Sequence, residues 1–208
     1  MAGEPEVLAS HWDDAYAQGE TTRSWFEEQP DMSLRMLGSA GVSAADAVID
    51  VGGGASSLAQ ALLDRGFRDI TVLDVSVTGM QYARRHLGPR AEQVRWVTAD
   101  VLTWQPGRRY RAWHDRAVFH FLTTARQRRN YMHTLSAATD PSAVAVFGCF
   151  APDGPEQCSG LPVARYSPAQ LADELGGEWR LISQDREEHI TPAGLIQPFT
   201  WVALRKQS

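Results

Sequence analysis

The chain has 208 residues, of which 43% are hydrophobic and 22% charged, and its formal net charge at pH 7 is −5. This composition is typical of a single soluble domain and excludes a wholly disordered chain. No apolar run reaches the roughly 18 residues of a membrane helix, and residues 1–10 lack the apolar stretch of a signal peptide, so we expect a cytoplasmic protein without a membrane partner. The acidic charge argues against nucleic-acid binding. The two cysteines, Cys149 and Cys158, have no metal-ligand spacing, and we predict no metal site.

Predicted strands and helices alternate along the chain, which favours a parallel sheet with helices on its faces. Within one domain of residues 1–208, we expect a helical cover (1–40), a ligand-binding core (41–150), and a long loop followed by closing strands (151–208). The predicted strands are 47–51, 69–75, 94–99, part of 110–118, 143–150, 179–184 and 199–204. The predicted helices of the core and C-terminal part are 58–63, 79–87, 124–139 and 168–175.

A glycine-rich turn joins the first predicted strand to the first core helix. It lies between Val48 and Ser57 and contains Gly52, Gly53 and Gly54. In an open α/β sheet, such a turn lies at the carboxyl edge, where ligands bind. Glycine lets the backbone approach a ligand closely, and the helix N-terminus offers free N–H groups. Because tight structural turns also use glycine, this turn alone does not establish a site.

Two further acidic residues strengthen the prediction of a nucleotide-containing cofactor. Asp74 ends the second predicted strand, about 20 residues after Gly54, where a carboxylate can accept hydrogen bonds from both ribose hydroxyls. Asp100 ends the third predicted strand, where it can accept a hydrogen bond from the amino group of adenine. Three polar features at three successive strand ends are difficult to explain by packing alone.

The spacing leaves two cofactors to compare, a nicotinamide dinucleotide and S-adenosylmethionine (SAM). Gly52, Gly54 and Ser57 match the dinucleotide pattern G-x-G-x-x-G/A only loosely. That pattern does not require Asp50, which lies two residues before Gly52. No separate substrate domain follows the core.

In the order and spacing of these residues, the chain resembles the class I SAM-dependent methyltransferases over about residues 40–150. The run Asp50–Gly54 is similar to their first motif, Asp74 to their ribose-binding acid, and Asp100 with Val101 to their adenine-contacting pair. The resemblance implies a Rossmann-like, doubly wound, seven-stranded sheet with the last strand antiparallel, in three αβα layers. It also implies SAM as cofactor and S-adenosylhomocysteine (SAH) as product. The expected cofactor-binding residues are Asp50, Gly52, Gly53, Gly54, Ser57, Asp74, Val75, Ser76, Asp100, Val101 and His114.

The segment at the end of the fourth predicted strand is unusually polar. In the family it borders both the sulfonium and the methyl acceptor, so His114, Asp115 and His120 are candidate catalytic residues that orient or deprotonate the acceptor. Ordinary structural roles are the alternative. The run Asp115–Ala117 is also similar to the Asp-Arg-Gly-Ala stretch of thiopurine S-methyltransferases, with Ala117 in place of glycine.

The N-terminal segment and the long loop are candidate acceptor-binding regions. The segment 11–16, followed by 24–26, is similar to the leader of small thiol methyltransferases and of some lysine methyltransferases. Its aromatic rings either cover the sulfonium, whose charge favours π faces, or simply pack on the sheet. The loop 151–166 is where family members place acceptor specificity. The expected acceptor-binding residues are Trp12, Tyr16, Trp25, Arg116, Arg165 and Tyr166.

The sequence therefore predicts a SAM-dependent methyltransferase, monomeric or homodimeric, that acts on a small molecule. A thiol or related chalcogen compound is the preferred acceptor, because a thiol with a pKa of about 8.5 needs little help from a base. A protein lysine is the alternative acceptor. A non-catalytic SAM-binding regulator and a nicotinamide oxidoreductase are the alternatives from other classes.

Overall fold

Alternating strands and helices make up most of the computed structural model, which describes residues 5–17 and 24–207, with side chains from Ala9 onward. The helices are α1 (Pro5–Ala17), α2 (Asp31–Ser39), α3 (Leu58–Asp64), α4 (Val77–Leu87), α5 (Ala125–Ala138) and α6 (Pro168–Leu175). The strands are β1 (Val48–Val51), β2 (Ile70–Asp74), β3 (Val94–Thr98), β4 (Tyr110–Arg116), β5 (Thr139–Phe150), β6 (Gln157–Cys158), β7 (Leu161–Pro162), β8 (Trp179–Ile190) and β9 (Ile196–Lys206).

Seven of these strands form one sheet in the order β3-β2-β1-β4-β5-β9-β8. Strands β1 to β5 pair in parallel, whereas β9 is antiparallel to both of its neighbours, β5 and β8. A short connection can join only antiparallel neighbours, so the hairpin between β8 and β9 makes the last strand the antiparallel one. The predicted seven-stranded sheet with an antiparallel last strand is confirmed. The strand order reverses beside β1, and ligands bind at such a switch point.

Helices cover both faces of the sheet because alternate residues of its inner strands are apolar on both sides. Val48 of β1 belongs to a buried cluster with helices α2, α3 and α4, and its neighbour Ile49 belongs to a second cluster with α5 and α6. The three-layer arrangement follows from this alternation. Asp50 lies on the same face as Val48, two residues along the strand, and therefore on the side of α2.

The C-terminal part differs from the prediction in two respects. The long loop contains a small antiparallel pair, β6 with β7. The closing strands β8 and β9 are about twice as long as predicted, because the register continues to Ile190 and Ile196 through residues that alternate between exposed and half-buried positions. These residues lack the apolar pattern from which a strand is predicted. Among the described residues, no helix is long and apolar enough to cross a membrane.

Candidate active site

A cavity of about 310 Å³ opens at the carboxyl edge of β1, β2 and β4. This volume falls in the range of small-molecule sites. The expected cofactor-binding residues that line it are Asp50, Gly52, Gly53, Ser57, Asp74, Val75, Asp100, Val101 and His114. Gly54 and Ser76 lie behind the wall, where their backbone N–H groups donate to the Asp74 carboxylate.

The glycine turn is tight because neighbouring side chains occupy the space beside each glycine. Gly52 has a φ of +69°, a conformation that favours glycine, and a Cβ at this position would collide with Val118. A Cβ at Gly53 would lie 2.5 Å from Oδ2 of Asp50, and one at Gly54 would collide with the Tyr16 hydroxyl. The turn therefore needs glycine both for its own geometry and to leave these side chains in place.

Asp74, which the sequence predicts to bind the ribose, lines the cavity at the end of β2. It is buried, and its oxygens accept hydrogen bonds from the backbone N–H groups of Gly54 (2.8 Å) and Ser76 (2.7 Å). Burial raises the pKa of Asp74 to about 6, although these two hydrogen bonds oppose the shift. Its carboxyl group therefore changes charge close to neutral pH.

Helix α1 is fixed over the Asp74 site by a carboxylate. Oδ1 of Asp13 accepts hydrogen bonds from the Ser76 hydroxyl (2.5 Å) and the Thr78 backbone N–H (3.0 Å) at the start of α4. An acid at a helix N-terminus is favourable because the N–H groups there are free. This contact sets Tyr16 against the glycine turn, where burial and the charge of Asp74 raise its pKa well above its usual value.

Aromatic side chains form one wall of the cavity. Trp12, Tyr16 and Trp25 line it, as expected from the sequence, together with Phe26 and Phe121. The Tyr16 and Trp25 rings meet edge to face at 5.2 Å, and those of Trp12 and Phe121 also at 5.2 Å. Such a wall can face a cation through its π surfaces or hold a flat organic molecule.

At the floor of the cavity, three buried polar side chains are connected in series. Nδ1 of His114 lies 2.7 Å from Oδ1 of Asp50, and its Nε2 lies 3.0 Å from the Ser33 hydroxyl. Asp50 and His114 are directly paired across β1 and β4, and Ser33 comes from α2. All three line the cavity. Both ring nitrogens of His114 are therefore occupied by protein partners.

The structure corrects the prediction that Asp115 and His120 act on the acceptor, since neither lines the cavity. Asp115 points to the opposite face of β4, where it accepts hydrogen bonds from the Tyr131 hydroxyl and from the N–H groups of Val118 and Phe119. Burial raises the pKa of Asp115 to about 6, opposed by these bonds. His120 is fully buried between the rings of Phe121 and Phe150.

The environment of His120 explains why it cannot serve as a base. Neither ring nitrogen has a hydrogen-bond partner among the described residues. Burial, and then the charge of Arg116, lower the pKa of His120 to about 3. The ring is therefore neutral at physiological pH and packs as an aromatic side chain.

Arg116 lines the cavity and holds residues 24–27 against the sheet. Its guanidinium donates to the Trp25 carbonyl and to Glu27, both at 2.8 Å, and lies 5.0 Å from the centre of the Phe199 ring. Nε2 of His189, on β8, lies 2.6 Å from the Ser24 carbonyl. Asp115 and Arg116 thus have different partners, although they are neighbours in the chain.

Glu27 also lies close to a second carboxylate, Glu187, and to Nδ1 of His189 at 3.4 Å. Burial alone would raise the pKa of Glu27, but its hydrogen bond with His189 and the charge of Arg116 hold it below its usual value. Burial raises the pKa of Glu187, opposed by Arg116. Glu27, Glu187 and His189 have the spacing of metal ligands, but the guanidinium of Arg116 already neutralises Glu27.

The long loop contributes the pair of strands β6 and β7 to the cavity, through Cys158, Leu161 and Pro162. The expected acceptor-binding residues Arg165 and Tyr166 do not line the cavity, which corrects that prediction. After β7 the chain turns away, and Arg165 binds Glu156 at 2.9 Å. Tyr166 is buried against Phe119 on the other face of the sheet. Burial raises the pKa of Cys158 to about 11, so its thiol is neutral.

No sequence pattern indicates Ser33 or Glu27, which the fold brings to the cavity from regions before the first strand. The cavity has carboxylates at three strand ends, those of Asp50, Asp74 and Asp100, and they lie beside the aromatic wall. Carboxylates attract an ammonium group and accept hydrogen bonds from hydroxyl and amino groups, but repel phosphate. This arrangement fits SAM, which is cationic and has no phosphate, better than a dinucleotide.

Comparison of the chain with known proteins finds similarity to methyltransferases. Residues 48–142 match a family described as a methyltransferase domain. Among curated proteins, no sequence matches significantly.

Solved structures share the fold at low sequence identity. A Burkholderia thailandensis 1,6-didemethyltoxoflavin-N1-methyltransferase with 1,6-didemethyltoxoflavin and SAH bound is 17% identical, with 100% of this chain and 92% of that chain covered and a TM-score of 0.76. The N-methyltransferase NodS from Bradyrhizobium japonicum WM9, in complex with SAH, is 14% identical, with 94% and 98% covered and a TM-score of 0.71. A structure described for the conversion of a disulfide bond into a thioacetal group during echinomycin biosynthesis is 21% identical, with 96% and 92% covered and a TM-score of 0.76.

Proposed function

We propose that this chain is a class I SAM-dependent methyltransferase that methylates a small organic molecule, most readily a thiol or a related chalcogen compound. The observation that carries the proposal is the cavity, in which three strand-end carboxylates adjoin an aromatic wall. The sulfonium of bound SAM supplies an activated methyl group. The protein must then hold both reactants in line and exclude water.

At the cofactor end, the three carboxylates have separate tasks. In this proposal Asp74, which lines the cavity at the end of β2, accepts hydrogen bonds from the ribose hydroxyls. Asp100, which lines the cavity with Val101, accepts a hydrogen bond from the adenine amino group. Asp50 has a buried oxygen, Oδ2, without a partner among the described residues, which suits the ammonium of the amino-acid part.

At the acceptor end, apolar side chains predominate. Trp25, Phe121, Leu161 and Pro162 line the cavity, and Arg116 with Glu27 provides one polar contact. Such walls favour a small, largely apolar acceptor held by a few directed hydrogen bonds. The 1,6-didemethyltoxoflavin-N1-methyltransferase, whose fold is shared, was solved with 1,6-didemethyltoxoflavin bound.

The preference for a thiol rests on the base that the cavity offers. His114 is bonded to Asp50 and Ser33, while Asp115 and His120 lie outside the cavity. Among the described residues that line it, Glu27 is engaged with Arg116. A thiol, with a pKa of about 8.5, loses its proton without strong base assistance, whereas an alcohol does not. The structure described for echinomycin biosynthesis also concerns chemistry at sulfur.

An acceptor screen that measures SAH release tests the proposal. Purified protein is incubated with SAM and matched sets of small aromatic and aliphatic thiols, amines and alcohols, and with lysine peptides. We expect the fastest turnover with a thiol. Turnover with this thiol should be lost in Asp74→Asn but kept in Asp64→Asn, since Asp64 is exposed and pairs with Arg90 outside the cavity. Preference for lysine peptides would contradict the small-molecule assignment. SAM binding without turnover on any acceptor would support a regulator instead.

A further inference from the structure

The series Ser33, His114 and Asp50 has a defined direction of hydrogen bonding. An ionised carboxylate only accepts, so the bond between Asp50 and His114 requires the proton on Nδ1 of the neutral ring. In that tautomer, Nε2 accepts a hydrogen bond from the Ser33 hydroxyl. The lone pairs of the Ser33 oxygen and of Oδ2 of Asp50 are left for a ligand.

The surroundings hold this series in one arrangement. The side chains of His114 and Asp50 are only 2% and 3% exposed, and Ser33 is also buried. The Trp201 ring lies 6.1 Å from the His114 ring. Gly53 has no side chain that would cover Oδ2 of Asp50, from which a Cβ would be only 2.5 Å away. The orphaned oxygen is buried and lies directly beside the glycine turn, with no partner among the described residues.

We propose that Ser33 and His114 are positioning residues that, together with Asp50, form a seat of hydrogen-bond acceptors for the ammonium group of SAM. His114 orients the Asp50 carboxylate through Nδ1 and fixes the Ser33 hydroxyl as an acceptor through Nε2. His114 does not take a proton from the methyl acceptor. This inference rests on the proposed function only in that SAM is the cofactor.

Two ligands that differ at the amino-acid end separate this role from a general structural one. SAH carries the ammonium group, whereas 5′-methylthioadenosine has the same adenosine and thioether sulfur without it. Calorimetric titration gives the affinity of each ligand for the wild type, Ser33→Ala, His114→Ala and His114→Asn. The amide nitrogen of Asn can take the place of Nδ1 and donate to Asp50, but the Asn side chain is too short to reach Ser33 as Nε2 does.

We expect His114→Ala to weaken SAH binding roughly tenfold or more, as for the loss of a charge-assisted hydrogen bond, and to leave the affinity for 5′-methylthioadenosine unchanged. His114→Asn and Ser33→Ala should each lose less. In His114→Ala, the KM for SAM should rise by a larger factor than turnover at saturating SAM falls. Nitrogen NMR of the wild type should show His114 protonated at Nδ1.

Equal weakening of both ligands by His114→Ala would overturn the inference, because the defect would then be general. An Nε2-protonated ring, or a fall in turnover at saturating SAM that exceeds the rise in KM, would overturn it too. If thermal unfolding shows that His114→Ala does not fold, His114→Asn and Ser33→Ala decide by the same comparison of ligands. A wild type that binds neither ligand would refute the assignment of the cofactor, which the proposed function requires.

Discussion

The charge of Asp74 should make cofactor affinity depend on pH. Both of its oxygens accept backbone hydrogen bonds, and burial raises its pKa to about 6. In the ionised state the carboxylate can also accept the two ribose hydroxyls. Protonation below pH 6 removes the charge and turns one oxygen into a donor, so SAH should bind more weakly in acid.

The size of the effect follows from linkage. A ligand that requires the ionised form of a group with a pKa of about 6 loses affinity about tenfold between pH 7.5 and pH 5. Asp74→Asn removes the charge at every pH. Charge-assisted hydrogen bonds contribute about 1.5 to 3 kcal/mol, so we expect SAH binding at pH 7.5 to weaken by roughly 10-fold to 150-fold. The pH profile of this variant should be flatter than that of the wild type.

Calorimetric titration of SAH at pH 8, 7, 6 and 5 measures both effects, and thermal unfolding shows whether each protein is folded. Asp64→Asn is the matched control, since it removes an exposed carboxylate that pairs with Arg90 and does not line the cavity. Its affinity and profile should equal those of the wild type. A wild-type profile that is flat from pH 8 to pH 5 would refute the reasoning. So would an Asp74→Asn variant that keeps both the affinity and the slope of the wild type.

Three further predictions concern backbone geometry and burial. Ala117 has a φ of +67°, so Ala117→Gly should raise the free energy of unfolding in urea by about 1 kcal/mol; an unchanged or lower value would contradict the strain. The folded-state pKa of His120 is about 3, below the unfolded value of about 6.5, so this histidine alone should cost the wild type about 1.4 kcal/mol of stability per pH unit as the pH falls below 6.5, measured as the difference from His120→Phe. His120→Phe should lack this loss and keep turnover close to that of the wild type, whereas equal pH dependence of unfolding in both proteins would show that the burial argument is wrong. Gly54→Ala places a Cβ where the Tyr16 hydroxyl lies, so amide exchange in α1 should accelerate and SAH binding should weaken. Gly38→Ala is its control, with no atom within 4 Å of the added Cβ, and the same exchange in both variants would exclude the predicted clash.

Local patterns in the sequence were enough to predict the parallel part of the sheet and the acids at one end of the cavity. A glycine turn after β1 and acids at the ends of β2 and β3 are local patterns, and parallel strands place their carboxyl ends at one edge whatever the details of packing. Asp50, Asp74 and Asp100 therefore line the same cavity, as predicted. The antiparallel last strand came from the family resemblance.

Tertiary structure decided which polar residues face the cavity. His114 and Asp115 are neighbours, but successive side chains of a strand point to opposite faces, so His114 meets Asp50 whereas Asp115 meets Tyr131. Only the register between β1 and β4 and the position of α2 place His114 between Asp50 and Ser33.

Long-range contacts also form the part of the structure around Arg116. Glu27, Arg116 and His189 come from three segments far apart in the chain and meet because β4 and the last hairpin end beside residues 24–27. After β7 the chain turns away from the cavity. Arg165 therefore pairs with Glu156, and Tyr166 packs against Phe119. Contacts between distant segments depend on how the whole chain packs, which no local pattern of residues encodes.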